Sequence, residues 1–79
     1  MARFLFFGRL RYSLGTGAMD TALPEGIGDT EGVRAWLGGD HPALLDPSVR
    51  IAVNAEISHG NAPIADRDEI AFLPPMSGG

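Results

Sequence analysis

The chain ends Pro74-Pro75-Met76-Ser77-Gly78-Gly79, and its last carboxylate is a candidate group for covalent chemistry. There is no cysteine, so no side-chain thiol can act, and no lysine, so no isopeptide bond to its own side chains can form. A terminal carboxylate is a poor electrophile until a leaving group is attached. Joined to AMP, it can be attacked by sulfide or a persulfide. Sulfide gives a thiocarboxylate directly, and a persulfide gives an acyl disulfide that a thiol reduces to it. The thiocarboxylate sulfur is anionic near neutral pH and nucleophilic. Such activation needs a slim, accessible chain end. Gly78 and Gly79 have no side chains, so they can enter a narrow channel and accept backbone angles closed to other residues.

The other polar residues suggest less. His41 and His59 are far apart, and neither has a second histidine or a cysteine at ligand spacing, so no metal site is expected. Asp66, Asp68 and Glu69 read as a solvated turn, because the rest of a calcium loop is missing. Ser77 has no histidine base nearby in sequence and is not expected to act as a nucleophile. Trp36 lies at core spacing in a helical pattern. No glycine-rich phosphate loop followed by lysine occurs, and no bound cofactor is expected.

The reactive end must be carried by a small framework. Phe4 to Phe7 is a strongly apolar run closed by Gly8 and reads as a buried strand. Arg9 to Leu14 suits a short helical turn, with Leu10 and Leu14 on one side. A weaker strand runs from Met19 to Leu23 and stops at Pro24. Asp29 or Thr30 can cap a helix whose apolar side is Val33, Trp36 and Leu37, and Gly38-Gly39 closes it. A helical turn is expected around Ala43-Leu44-Leu45. Val49, Ile51 and Val53 alternate with Arg50, Ala52 and Asn54 as a half-buried strand, and Asn54-Ala55-Glu56 turns the chain into a short return at Ile57. Glu69 to Leu73 is the last strand. Pro74 and Pro75 stop it, since neither can donate to a ladder. The six residues beyond Leu73 could span roughly 20 Å when extended.

A hairpin, a crossover helix and two or three further strands predict an α+β fold: a β-grasp (ubiquitin-like) mixed sheet packed on one main helix, with a free C-terminal tail. Residues 1–73 would form the domain and 74–79 the tail. A ferredoxin-like plan would want a second full helix. The first and last strands are apolar on both faces: Phe4 and Phe6 oppose Leu5 and Phe7, and Ile70 and Phe72 oppose Ala71 and Leu73. Either loops cover the outer face or it is a protein-binding patch, and the small size of the chain favours the patch.

Composition narrows the partners. Seventy-nine residues make one domain with a thin core. Six arginines against ten acidic residues give a net charge of −4, which argues against nucleic acid and anionic membranes as partners and favours proteins with basic grooves. The N-terminal apolar run is too short for a signal peptide, and no segment approaches the roughly 20 apolar residues of a membrane span, so a cytoplasmic location is expected.

Leu5-Phe6-Phe7, Ala52-Val53-Asn54 and the ending Asp68-Glu69-Ile70-Ala71-Phe72-Leu73-Pro74-Pro75-Met76-Ser77-Gly78-Gly79 resemble the small subunits of molybdopterin synthases, the MoaD type of sulfur carrier, in order and spacing over nearly the whole chain. That resemblance implies a β-grasp fold and a C-terminal thiocarboxylate on Gly79. It implies an E1-like adenylating enzyme using ATP and magnesium, a sulfurtransferase, and a large synthase subunit with which the carrier forms a heterotetramer. Two sulfurs then pass to cyclic pyranopterin monophosphate to form the molybdopterin dithiolene. On matching positions, Phe7, Ile57 and Leu73 would make apolar partner contacts, joined by tail residues Pro74, Pro75, Met76 and Ser77, while Gly78 would let the tail insert. The chain would be a sulfur-donating subunit, not a catalyst alone. Two departures stand out: Arg67 occupies the usual glycine of an Asp-Gly-Asp turn, and Met76 replaces a common β-branched residue. Sulfur carriers for thiamine or cysteine synthesis share the fold and the Gly-Gly end, although the Phe72-Leu73-Pro74-Pro75 lead-in favours molybdopterin. A ubiquitin-like modifier conjugated through Gly79 is a rival of another class. An interaction module with an inert tail is the remaining alternative.

Overall fold

The computed structural model describes residues 1–75. Met76, Ser77, Gly78 and Gly79 lie outside the described residues, so the reactive-end assignments are not located by it. Five strands form one sheet: β1 (Ala2–Phe6), β2 (Ala18–Thr21), β3 (Arg50–Val53), β4 (Glu56–Ile57) and β5 (Glu69–Leu73), in the order β2-β1-β5-β3-β4. β1 and β5 are parallel at the centre, and the other pairings are antiparallel. Helix α1 (Leu10–Leu14) follows β1, and the main helix α2 (Thr30–Gly38) crosses from β2 towards β3. A 3-10 turn covers Pro42–Leu45. This is the expected β-grasp.

Alternation along the strands builds the core. Phe4, Phe6, Ile70, Phe72 and Ile51 are buried on one face, against Val33 and Leu37 of α2 and Leu10 of α1. The parallel register sets Phe6 beside Phe72, with ring centroids 5.6 Å apart and planes 21° off parallel. Trp36 meets Phe4 edge-on at 5.9 Å, a core role as its spacing predicts.

Helix α2 begins where its sequence says. Of the two expected caps, Asp29 serves: its Oδ1 accepts from Gly32 N at 2.7 Å. Asn61 adds a long-range cap, accepting from Glu31 N at 3.0 Å and donating to Asp29 Oδ2 at 3.2 Å. Thr30 is buried and exchanges hydrogen bonds with Ala62. The helix runs through Gly38, whose α-carbon lies against the Leu45 side chain, and Gly39 takes the C-cap. Arg34 ties the connection to β3, donating to Leu44 O, Asp46 O and Val49 O at 3.1, 3.1 and 2.7 Å.

The early strands differ from their sequence-based bounds. β1 starts at Ala2 and ends at Phe6, because its ladder with Thr21 and Glu69 draws in residues with little strand character of their own. β2 runs Ala18–Thr21 instead of Met19 to Leu23. Leu23 has left the ladder, and its N–H is taken by Asp66 Oδ1 at 3.2 Å.

Candidate functional site

The outer face of the sheet runs to the root of the tail. Register places Ala18, Leu5, Ala71, Ala52 and Ile57 in one row across all five strands. Ala71 and Ala52, in the middle of the row, are small and buried, and Leu5 beside them is half-buried. Both helices pack on the other face, and no second layer covers this one among the described residues. At the far end the face turns polar, where Arg3 is paired with Asp20 at 3.1 Å.

Leu73 ends β5 on this face, half-buried, and Pro74 and Pro75 carry the chain past the sheet. Beside them lies an open groove of about 940 Å³, lined by Ile57, Leu73, Pro74 and Pro75 together with Pro47, Ser48, Arg50 and His59. Ile57 is 42% exposed. Thus four of the residues assigned to partner contact share one surface. Phe7 is 45% exposed but does not line this groove: it follows β1, on the far side of β5, where its N–H meets Phe72 O at 3.2 Å.

Sequence reasoning did not assign Arg50, Pro47, Ser48 or His59 to this surface. Arg50 had a usable signal: in a strand whose Ile51 and Val53 point inward, Arg50 must point outward, and register sets it opposite Leu73. The wall carrying Pro47 and Ser48 is a polar turn in which Asp46 Oδ1 accepts from Ser48 Oγ at 2.7 Å and Ser48 N at 2.9 Å. Those two bonds hold the Asp46 carboxyl below its usual range.

The β3–β4 hairpin that presents Ile57 is also locked. Asn54 donates to Asp68 Oδ1 at 3.0 Å and accepts from Glu69 N at 3.0 Å. Asp68 also receives Ala65 N at 2.8 Å, and its carboxyl is lowered chiefly by the Asn54 bond and then by Ala65. These bonds hold Asp68 at the end of the Asp66-Arg67-Asp68 turn, where Arg67 does not take the positive φ that would call for glycine.

Among the described residues no three metal-ligating side chains cluster, and no helix is long and apolar enough to cross a membrane. His41 directs Nδ1 to Ser13 O at 3.2 Å.

The sequence pattern of the ThiS family matches residues 4–79, from β1 through the terminal Gly-Gly. The chain belongs to the ThiS family. In this sulfur-carrier family, it is similar to the molybdopterin synthase sulfur carrier subunit of Escherichia coli, with 32% identity over 83 aligned residues covering 100% of both chains. Two solved structures share the fold of this ThiS-family chain. One is a Pyrococcus furiosus protein described as molybdopterin converting factor, subunit 1, with TM-score 0.77, 21% identity and coverage of 95% of this chain and 97% of the other. The second is small archaeal modifier protein 1 of Methanosarcina acetivorans, with TM-score 0.74, 28% identity and coverage of 99% and 95%.

Proposed function

We propose that this ThiS-family chain is the sulfur-carrying small subunit of a molybdopterin synthase, charged as a thiocarboxylate on Gly79. The observation that carries the reading is the full-length likeness to the Escherichia coli carrier, which includes the Gly-Gly end beyond β5 and its two prolines.

An E1-like enzyme using ATP and magnesium joins the Gly79 carboxylate to AMP and releases pyrophosphate. Sulfide attacking the carbonyl expels AMP and gives the thiocarboxylate directly. A sulfurtransferase persulfide attacking instead expels AMP and gives an acyl disulfide, which a thiol then reduces to the thiocarboxylate. The slim end, Gly78 and Gly79, enters the large subunit's pocket with Met76 and Ser77 behind it. There the thiocarboxylate sulfur bonds to a carbon of cyclic pyranopterin monophosphate in place of an oxygen substituent, which leaves. Water then cleaves the carrier's acyl–sulfur bond, the spent carrier returns as a carboxylate, and two such rounds build the dithiolene. Ile57, Leu73, Pro74 and Pro75 seat the domain beside the pocket, and Phe7 adds a contact from across β5.

The test is reconstitution. Charged carrier, the large subunit from the same genome and cyclic pyranopterin monophosphate should yield molybdopterin, and deleting Gly79 should abolish the product while circular dichroism stays unchanged. A charged carrier that gives no molybdopterin but supports thiazole formation would move it to the thiamine pathway. The likeness to the Methanosarcina modifier favours a second reading, conjugation of Gly79 to lysines of other proteins. Lysine adducts recovered from cells carrying a tagged chain would support that reading.

A further inference from the structure

Arg50 stands directly opposite Leu73, the last cross-strand pair before the prolines. It is exposed, and its groove is otherwise largely apolar, with Pro47, Ile57, Leu73, Pro74 and Pro75 around it. The ion pair found among the described residues, Arg3–Asp20, is at the other end of the face, and none of the groove-lining residues is an aspartate or glutamate. A protein that closes over this groove therefore removes water from a guanidinium that its own lining does not neutralise. Stripping an ion of water without a counter-charge costs more than the surrounding apolar contact returns. The partner must bring the missing charge.

We infer that the groove at the root of the tail takes an apolar segment of the large synthase subunit that carries an aspartate or glutamate onto Arg50. This rests on the proposed function, which puts the tail in that subunit. Arg50 requires the opposite of what net charge suggests. A chain of charge −4 calls for a basic partner surface overall, but at this point an acidic one is needed. The planar guanidinium can take a carboxylate through two parallel hydrogen bonds, fixing the orientation of the domain as it docks.

The experiment is titration of the full-length chain with the large subunit of the same organism, at low and high salt. Arg50→Glu and Arg50→Leu should each weaken binding by about 30-fold or more, the loss expected when one member of a desolvated pair is removed. Arg50→Lys should recover part of it. The melting temperatures of the free variants should match that of the parent, because the side chain is exposed. Arg50→Leu decides the matter: affinity equal to or tighter than the parent's would overturn the inference, since it would mean that the groove seeks only apolar contact. Tighter binding by Arg50→Glu would overturn it by revealing a basic partner group. A dimer of free chains that Arg50→Glu dissociates, with affinity for the large subunit unchanged, would assign the groove to a second copy instead. If the parent chain does not bind the large subunit, the functional reading fails and takes the inference with it. If the parent binds and Arg50→Leu binds equally, only the inference fails.

Discussion

Pro74 packs on the bare α-carbon of Gly8, where a Cβ would stand 2.8 Å from the proline Cγ. Gly8 also holds φ +56°, a left-handed conformation that side chains resist. The turn leaving β1 thus doubles as the seat for the first residue of the tail, and both features demand glycine.

Gly8→Ala should lower stability by about 2 kcal/mol, combining left-handed strain with displacement of the proline. Adding Pro74→Ala should restore the share due to the contact and leave the backbone strain. Denaturant melts of the single and double variants measure both parts. Equal stability of the two variants would show that Pro74 does not bear on Gly8.

Ala55 is an opportunity for stabilisation. Asn54 and Ala55 adopt φ +50° and +71° between β3 and β4, the two-residue hairpin turn that prefers Asn-Gly. Ala55→Gly should raise stability by about 0.5–1 kcal/mol, the left-handed strain relieved less the added flexibility of the unfolded chain. A melting temperature several degrees higher is the expected result for a domain of this size.

Arg34 bonds three carbonyls in the link between α2 and β3. Arg34→Leu should cost about 2 kcal/mol by leaving those carbonyls short of donors. Hydrogen exchange should quicken in residues 44–49 ahead of the rest of the chain. Uniform loss of protection across the sheet would instead indicate a global role.

Asp29, Asp46 and Asp68 all have folded carboxyl groups below their usual range, through the Gly32, Ser48 and Asn54 bonds respectively. A lowered folded pKa contributes stability that is present above the unfolded value, near 3.8, and is lost as pH falls through the folded one. Melting temperature should therefore hold steady from neutral pH down to about pH 5 and fall below pH 4. Asp68→Asn should flatten part of that fall. An unchanged acid limb would remove Asp68 from the account.

Leu73→Arg should weaken partner binding by about tenfold or more, with a smaller effect on the melting temperature of the free chain, since Leu73 is half-buried on the uncovered face. Parallel losses in both would place Leu73 in the core.

The strand Glu69–Leu73 and the helix Thr30–Gly38 were legible because their limits are local: a charged turn and a proline for one, a capping aspartate and helical spacing for the other. β2 was misplaced because Leu23 looks like a strand residue, yet its N–H goes to Asp66, forty-three residues away. The surface beside the tail was half legible. Ile57 and Leu73 announce themselves as apolar residues on outward positions, and family likeness supplies the expectation that they meet a partner. The place of Arg50 beside them depends on how β3 pairs with β5, and Gly8 under Pro74 depends on the parallel β1–β5 pairing. Neither relation is contained in any short stretch of the chain.

The central claim is that Gly79 carries sulfur, and intact mass reads it directly. The full-length chain would be incubated with the E1-like enzyme of the same genome, ATP, magnesium and a sulfur source. One terminal oxygen should be exchanged for sulfur, a change absent without ATP and absent when Gly79 is deleted. An unchanged mass with an enzyme shown to be active on another carrier would contradict that claim.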